Sequence, residues 1–332
     1  MTSQGGDGRR PRGEHPMVPD AQFRSYYGRP ILKAPVWGPG VPTYLFSGGL
    51  AAGCALLAAG ADLTGRPALR RAGRLACLGA LGASAGLLVQ DLGRPDRFYN
   101  MLRVAKPTSP MSMGSWILTT IAPAAGVAAI AEFADRLPSR GPLGLVRRVL
   151  PPAGRAAGLA AAGVAPALAT YTAVLLADTA APSWHEAYPE LPFVFAGSAL
   201  ASASGVGLLA APPAETAPAR RLALAGAAIE LAASQTIERR LGLLSEPYRQ
   251  GRAGRLLNAG RALTLAGVLG GLLGGRSRLV AALSGAALLA ASAATRFGIY
   301  HGGVASMTDP RYTVVPQRQR LDQGRPARAG GT

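Results

Sequence analysis

The chain has 332 residues, 49% hydrophobic and 16% charged, where a soluble protein carries about 25% charged residues. Its net charge of +18 would suit a nucleic-acid partner, but 33 of the 35 basic residues are Arg. They lie in the tails and between apolar runs and form no contiguous phosphate-binding face. This placement excludes nucleic acid and predicts a polytopic protein of the cell membrane, in contact with the lipid bilayer. Cys54 and Cys77 both sit inside apolar runs, and the histidines are scattered. The chain therefore offers no thiolate cluster for zinc or iron–sulfur and no helix-borne histidine pair for haem, so no protein-ligated metal is expected.

Residues 1–25 are Gly, Pro and charge with little to bury, which predicts a disordered basic tail. No cleavable signal peptide is expected, because the first apolar run starts late and has no cleavage motif. Tyr26, Tyr27, Ile31, Leu32, Val36 and Trp37 alternate with Gly and Pro, as in a segment lying at the bilayer interface.

Eight apolar runs follow, and a spanning helix needs about 20 largely apolar residues. They cover 41–61, 75–90, 114–131, 156–177, 191–211, 222–237, 256–273 and 279–295. The expected fold is an all-α membrane bundle over 26–303, with two four-helix halves and a polar basic tail at 304–332. Small residues such as Gly48, Gly49 and Gly53, or Gly79 and Gly82, would let the helices approach closely. No clear sequence repeat relates the two halves.

The most structured connection runs from Gln90 to Trp116 and carries six charges: Asp91, Arg94, Asp96, Arg97, Arg103 and Lys106. Gly93 can take a left-handed cap, Pro95 cannot continue a helix, and Arg94 sets a cation near the last carbonyls. Ser109 and Ser112 then supply hydroxyls where the next helix needs caps. Asp91, Arg94, Arg97 and Lys106 read as structural, through i, i+3 pairing, or as a docking surface for a soluble subunit.

Polar groups at membrane depth invite a functional reading. Glu230 lies one or two turns inside the sixth run, either as a structural acid paired with Arg261 or as a proton carrier. Tyr44 lies in the first turns of the first run and Tyr171 deep in the fourth. A phenol buried among Ala and Leu needs a partner, and a quinone carbonyl is one candidate. Asp178, Trp184, His185 and Glu186 follow the fourth run in a loop without Lys or Arg. They could relay protons or flank a headgroup, or form a solvated loop with an aromatic belt residue. No Ser–His–Asp order, HExxH, P-loop or dinucleotide fingerprint is present, so the chain does not read as a catalyst by itself.

Four stretches resemble the NrfD/PsrC family, the integral membrane subunits of polysulfide reductase, formate-linked nitrite reductase and related molybdoenzyme complexes. They are YYGRPILKAPVWGPGVPTYLFSGGLAAG from residue 26, DLGRPDRFYNMLRVAKPTSPMSMGSW from 91, PSWHEAYPELPFVFAGSALASASG from 182 and RFGIYHGGVASMTDPRYTVVPQR from 296. The resemblance implies a haem-free site for a menaquinone-type quinone near one membrane face. It also implies a docked four-cluster ferredoxin-like iron–sulfur subunit and a molybdopterin catalytic subunit. Tyr171 matches the family's tyrosine in helix four. Tyr44 stands where a relative carries histidine, and Gln90 precedes Asp91 where relatives often have histidine. The competing reading is a non-redox membrane protein, either a transporter or a pure anchor.

Overall fold

In a computed structural model of the chain, the described residues are 29–33, 35, 37–92, 94–273 and 277–323. The two tails beyond them, Tyr26, Tyr27, Val36 and the cap expected at Gly93 lie outside the described residues. Among the described residues there are helices and no strands.

Eight long helices form the bundle among these residues. They are α1 (Gly40–Leu63), α2 (Pro67–Gln90), α3 (Pro110–Ala131), α4 (Gly141–Ala177), α6 (Leu191–Ala210), α7 (Ala217–Arg240), α9 (Gly251–Leu273) and α10 (Arg278–Thr308). Between and after them lie the short α5 (Pro182–Glu186) and α8 (Glu246–Arg249), and α11 (Arg311–Asp322). Seven of the eight are long and apolar enough to cross a membrane. The eighth, α7, is long enough at 24 residues, but Arg220, Arg221, Glu230, Glu238, Arg239 and Arg240 make it more polar. The chain is a multi-pass membrane protein of about eight spans.

Several helices extend past the apolar runs. α2 starts at Pro67 and includes Arg70, Arg71 and Arg74, and α4 starts at Gly141. α10 continues through Arg296 and His301 to Thr308, and α11 then occupies part of the expected polar tail. Charges do not end these helices, because partners within the bundle hold them.

Short connections alternate the direction of the spans. The α1 start, the α2–α3 connection, α5, α8 and the α10 end all fall on one membrane face, called here the first face. The two halves repeat one arrangement. α1 packs along α2 and α3 along α4, as α6 packs along α7 and α9 along α10, with α1 and α6 meeting at the centre. Close packing uses Gly49 beside Arg296 and Gly53 beside Ala199, whereas Gly79 and Gly82 face open space.

The α2–α3 connection folds as a capped hairpin. A 3-10 helix covers Pro95–Leu102, and Ser109 caps α3 by accepting from the Ser112 amide. Ser112 Oγ donates to the Val104 carbonyl at 2.9 Å and accepts from the Lys106 amide at 3.0 Å. One serine thereby fastens the loop to the helix it precedes.

Candidate functional site

Tyr44 lies four residues into α1 and Tyr171 six residues before the end of α4. At 1.5 Å per residue both are about 6–9 Å below the first face, on helices that pack against each other. Both side chains are buried. The Tyr171 hydroxyl has no hydrogen-bond partner, and neither has the hydroxyl of Thr172 beside it. Gly114 of α3 backs the Tyr171 ring so closely that a Cβ there would overlap it. The sequence therefore places a rigid phenol at shallow membrane depth and leaves its hydroxyl free.

The segment after α4 forms the rim above these tyrosines. Trp184 is fully buried in α5, stacked on Trp37 at 6.1 Å and tilted against Tyr300 at 5.9 Å. Its Nε1 donates to the Ile299 carbonyl at 2.8 Å, and Gly303 leaves room for the indole where no side chain would fit. Ser183 Oγ donates to the Leu244 carbonyl at 2.8 Å, fixing α5 from the other side. Tyr300 Oη donates to the Trp37 carbonyl at 2.7 Å and ties the entry segment down. Trp184 thus anchors the rim, while His185 beside it faces outward. Asp178 and His185 are exposed, with His185 Nδ1 2.9 Å from the Ala177 carbonyl. Glu186 pairs with Arg320 of α11 at 3.3 Å, and Arg240 clamps Glu190 at 2.6 Å.

Asp91, Arg94, Arg97 and Lys106 lie on the same face, all exposed. Asp91 forms no ion pair with Arg94 or Arg97, so the expected i, i+3 pairing is absent among the described residues. Phe98, Tyr99, Val104 and Met111 stand exposed among these cations. Basic and apolar groups share one projecting hairpin.

A sequence model described as "Polysulphide reductase, NrfD" matches residues 31–220, more than half of the chain. The chain belongs to the polysulphide reductase NrfD family. It is thereby a membrane subunit of the type found in oxidoreductase complexes. No curated relative matches it.

The match covers α1 to α6, including both tyrosines, the hairpin and the rim, and ends before the second polar feature of this NrfD-family chain. That feature lies near mid-depth. Glu230 is 3% exposed and accepts from Thr295 Oγ1 at 2.6 Å. Arg261 pairs with Glu238 instead, so the pairing expected with Glu230 does not form. Arg296, fully buried, lies over the Phe195 ring at 3.9 Å and donates through Nη2 to the Phe195 carbonyl at 2.7 Å. Arg296 Nε and Nη1 and Glu230 Oε2 have no hydrogen-bond partner. Ser198 and Ser292 bond to each other at 2.7 Å across α6 and α10. The apolar pattern ends the eighth run at Thr295, one residue before Arg296, and so passes over it. The signal that could find it is the stretch from Phe297 to Thr308, which has no Asp, Glu, Lys or Arg and continues the helix.

Among the described residues, no group of three or more His, Cys, Asp or Glu side chains could hold a metal ion. The polar groups that the site does offer are phenols, an imidazole and carboxylates. They suit a carbonyl or hydroxyl ligand and the protons it exchanges.

Proposed function

We propose that the chain is the quinone-reacting membrane subunit of an iron–sulfur molybdoenzyme-type complex, exchanging electrons between a menaquinone-type pool and a docked iron–sulfur subunit. The observation that carries this reading is the Tyr171 hydroxyl, buried at shallow depth with no partner. Leaving a buried hydroxyl unpaired costs about 1–3 kcal/mol, a cost that a bound carbonyl oxygen removes. Tyr44 lies at a similar depth on α1, which packs against α4.

Interconversion of quinone and quinol moves two electrons and two protons. Tyr171 donates a hydrogen bond to one quinone oxygen, and Tyr44 flanks the headgroup. His185 and Glu186 at the rim, with Asp178 beside them, exchange the protons with water. Trp184 holds the rim in place from behind. The electrons cross to a four-cluster ferredoxin-like partner, and a molybdopterin subunit beyond it performs the substrate chemistry. The projecting hairpin, with Arg94, Arg97 and Lys106 around Phe98 and Tyr99, suits that partner's docking. Charged rims steer association, and exposed aromatics supply contact area.

The test is equilibrium binding of a fluorescent quinol analogue to purified protein, wild type and Tyr171→Phe. Saturable binding that weakens about tenfold in the mutant, the equivalent of one lost hydrogen bond of about 1.4 kcal/mol, is the expected result. Unchanged affinity in the mutant moves the headgroup away from Tyr171. Absence of saturable binding in folded protein removes the quinone reading and leaves an anchor.

A further inference from the structure

The face opposite the tyrosines carries a charge cluster that the redox reading leaves unused. Arg70 and Arg74 of α2 converge on Glu132, just past α3, at 2.8 and 2.9 Å. Arg70 also reaches Asp62 of α1 at 3.2 Å. Asp62 Oδ2 stands 3.6 Å from both Arg74 Nη2 and Arg155 Nε of α4. Asp62 and the three arginines border a cleft of about 340 Å³, whose other walls are Ala131 and the Pro151-Pro152 step of α4.

The cluster is not closed on itself. Arg74, whose side chain is 6% exposed, has an Nε with no hydrogen-bond partner. The terminal nitrogens of Arg155, a side chain 61% exposed, make no hydrogen bond among the described residues. Three guanidiniums pair with two carboxylates, so the cluster behind the cleft carries one positive charge in excess. It lies at the ends of α1 and α3 and the beginning of α2, where lipid headgroups sit. One turn deeper on the flanking helices, Leu159 follows Arg155 and Val127 precedes Ala131, both exposed outward. A charged cleft at headgroup depth thus opens onto an apolar stripe.

We propose that this cleft binds the phosphate of an anionic phospholipid. The exposed terminal nitrogens of Arg155 hold the phosphate at the mouth of the cleft, the buried Arg74 guanidinium adds positive charge behind it, and one acyl chain lies along Leu159 and Val127. Cationic pockets between helices at a membrane face are a recurrent form of anionic lipid site. The guanidinium geometry matches phosphate oxygens. The apolar stripe selects a lipid over free phosphate, and the single excess charge selects an anionic lipid over a zwitterionic one.

The experiment is lipid retention by native mass spectrometry, after exchange of the purified protein into phosphatidylglycerol or phosphatidylcholine. The wild type should retain phosphatidylglycerol with about tenfold preference, and Arg155→Ala should abolish the preference. Arg155→Lys should keep part of it, and Arg148→Ala, on an exposed residue outside the cluster, should keep all of it. Quinol-analogue binding at the other face should be the same in all four proteins, which separates this proposal from the redox reading. Equal retention of both lipids, or an Arg155→Ala protein indistinguishable from wild type, overturns the proposal. Displacement of the bound lipid by millimolar inorganic phosphate would instead make this a small-anion site and overturn the lipid assignment.

Discussion

Tyr171 carries two opposed energies that a single substitution separates. Burying a hydroxyl without a partner costs about 1–3 kcal/mol, and Tyr171→Phe removes the hydroxyl while keeping the ring against Gly114. In the absence of quinone the mutant should therefore melt at the same temperature as wild type or slightly above it. A tyrosine present only for packing would show no further change. Weakened quinol-analogue binding together with undiminished stability identifies a hydroxyl kept for a ligand. A mutant that melts several degrees lower would mean that the hydroxyl has a structural partner, and the site assignment fails. Gly114→Val tests the same ring from behind. It should displace Tyr171 and lower affinity, because nothing larger than hydrogen fits beneath the ring.

At the scale of the element, α5 shows what is legible in the sequence and what is not. The rim sequence at 182–186 marks a polar, Lys- and Arg-free segment, but its spacing cannot separate Trp184 from His185. They are neighbours in sequence and opposites in environment, one fully buried and the other exposed. Which of them points inward is decided by Trp37, Tyr300 and Gly303, which come from distant parts of the chain. Trp184→Ala should cost about 3–5 kcal/mol, as large-to-small core substitutions do. His185→Ala should stay within about 0.5 kcal/mol. Thermal unfolding of the two mutants side by side checks this, and equal losses would show that the rim is not anchored through the indole. The same limit explains the helix boundaries. Apolar runs locate the spans, but stopping each run at its first charge hides charges that ion pairs and hydrogen bonds hold inside the helix. Arg70 and Arg74 at the start of α2 are hidden in this way, as is Arg296 within α10. In the hairpin the Ser109 cap is legible because it is local, whereas the Asp91 pairing is not, and Ser112 binds back to the loop instead of capping the helix.

At the scale of the whole molecule, the two halves share one helix arrangement but differ in polar content. The first half has tyrosines near one face and the Arg–Glu–Asp cluster near the other. The second has Glu230 of α7 and Arg296 of α10 near mid-depth, both against α6 at the centre. Glu230 is ten residues from the α7 end at the first face, about 15 Å along the helix axis. The chemistry proposed for the tyrosines releases or takes up protons at that face, so a proton crossing the remaining depth would need a polar station between. Glu230 Oε2 and the two unpartnered nitrogens of Arg296 supply acceptor and donors there, and polar groups at such depth commonly serve ion pathways. Proteoliposomes containing the assembled complex decide between coupling and structure. If Glu230 carries protons, Glu230→Gln keeps quinol turnover near wild type while the number of protons moved per electron falls, because the amide still accepts from Thr295 but cannot release a proton. An unchanged ratio would leave Glu230 as a hydrogen-bonding partner of Thr295 and confine proton exchange to the first face.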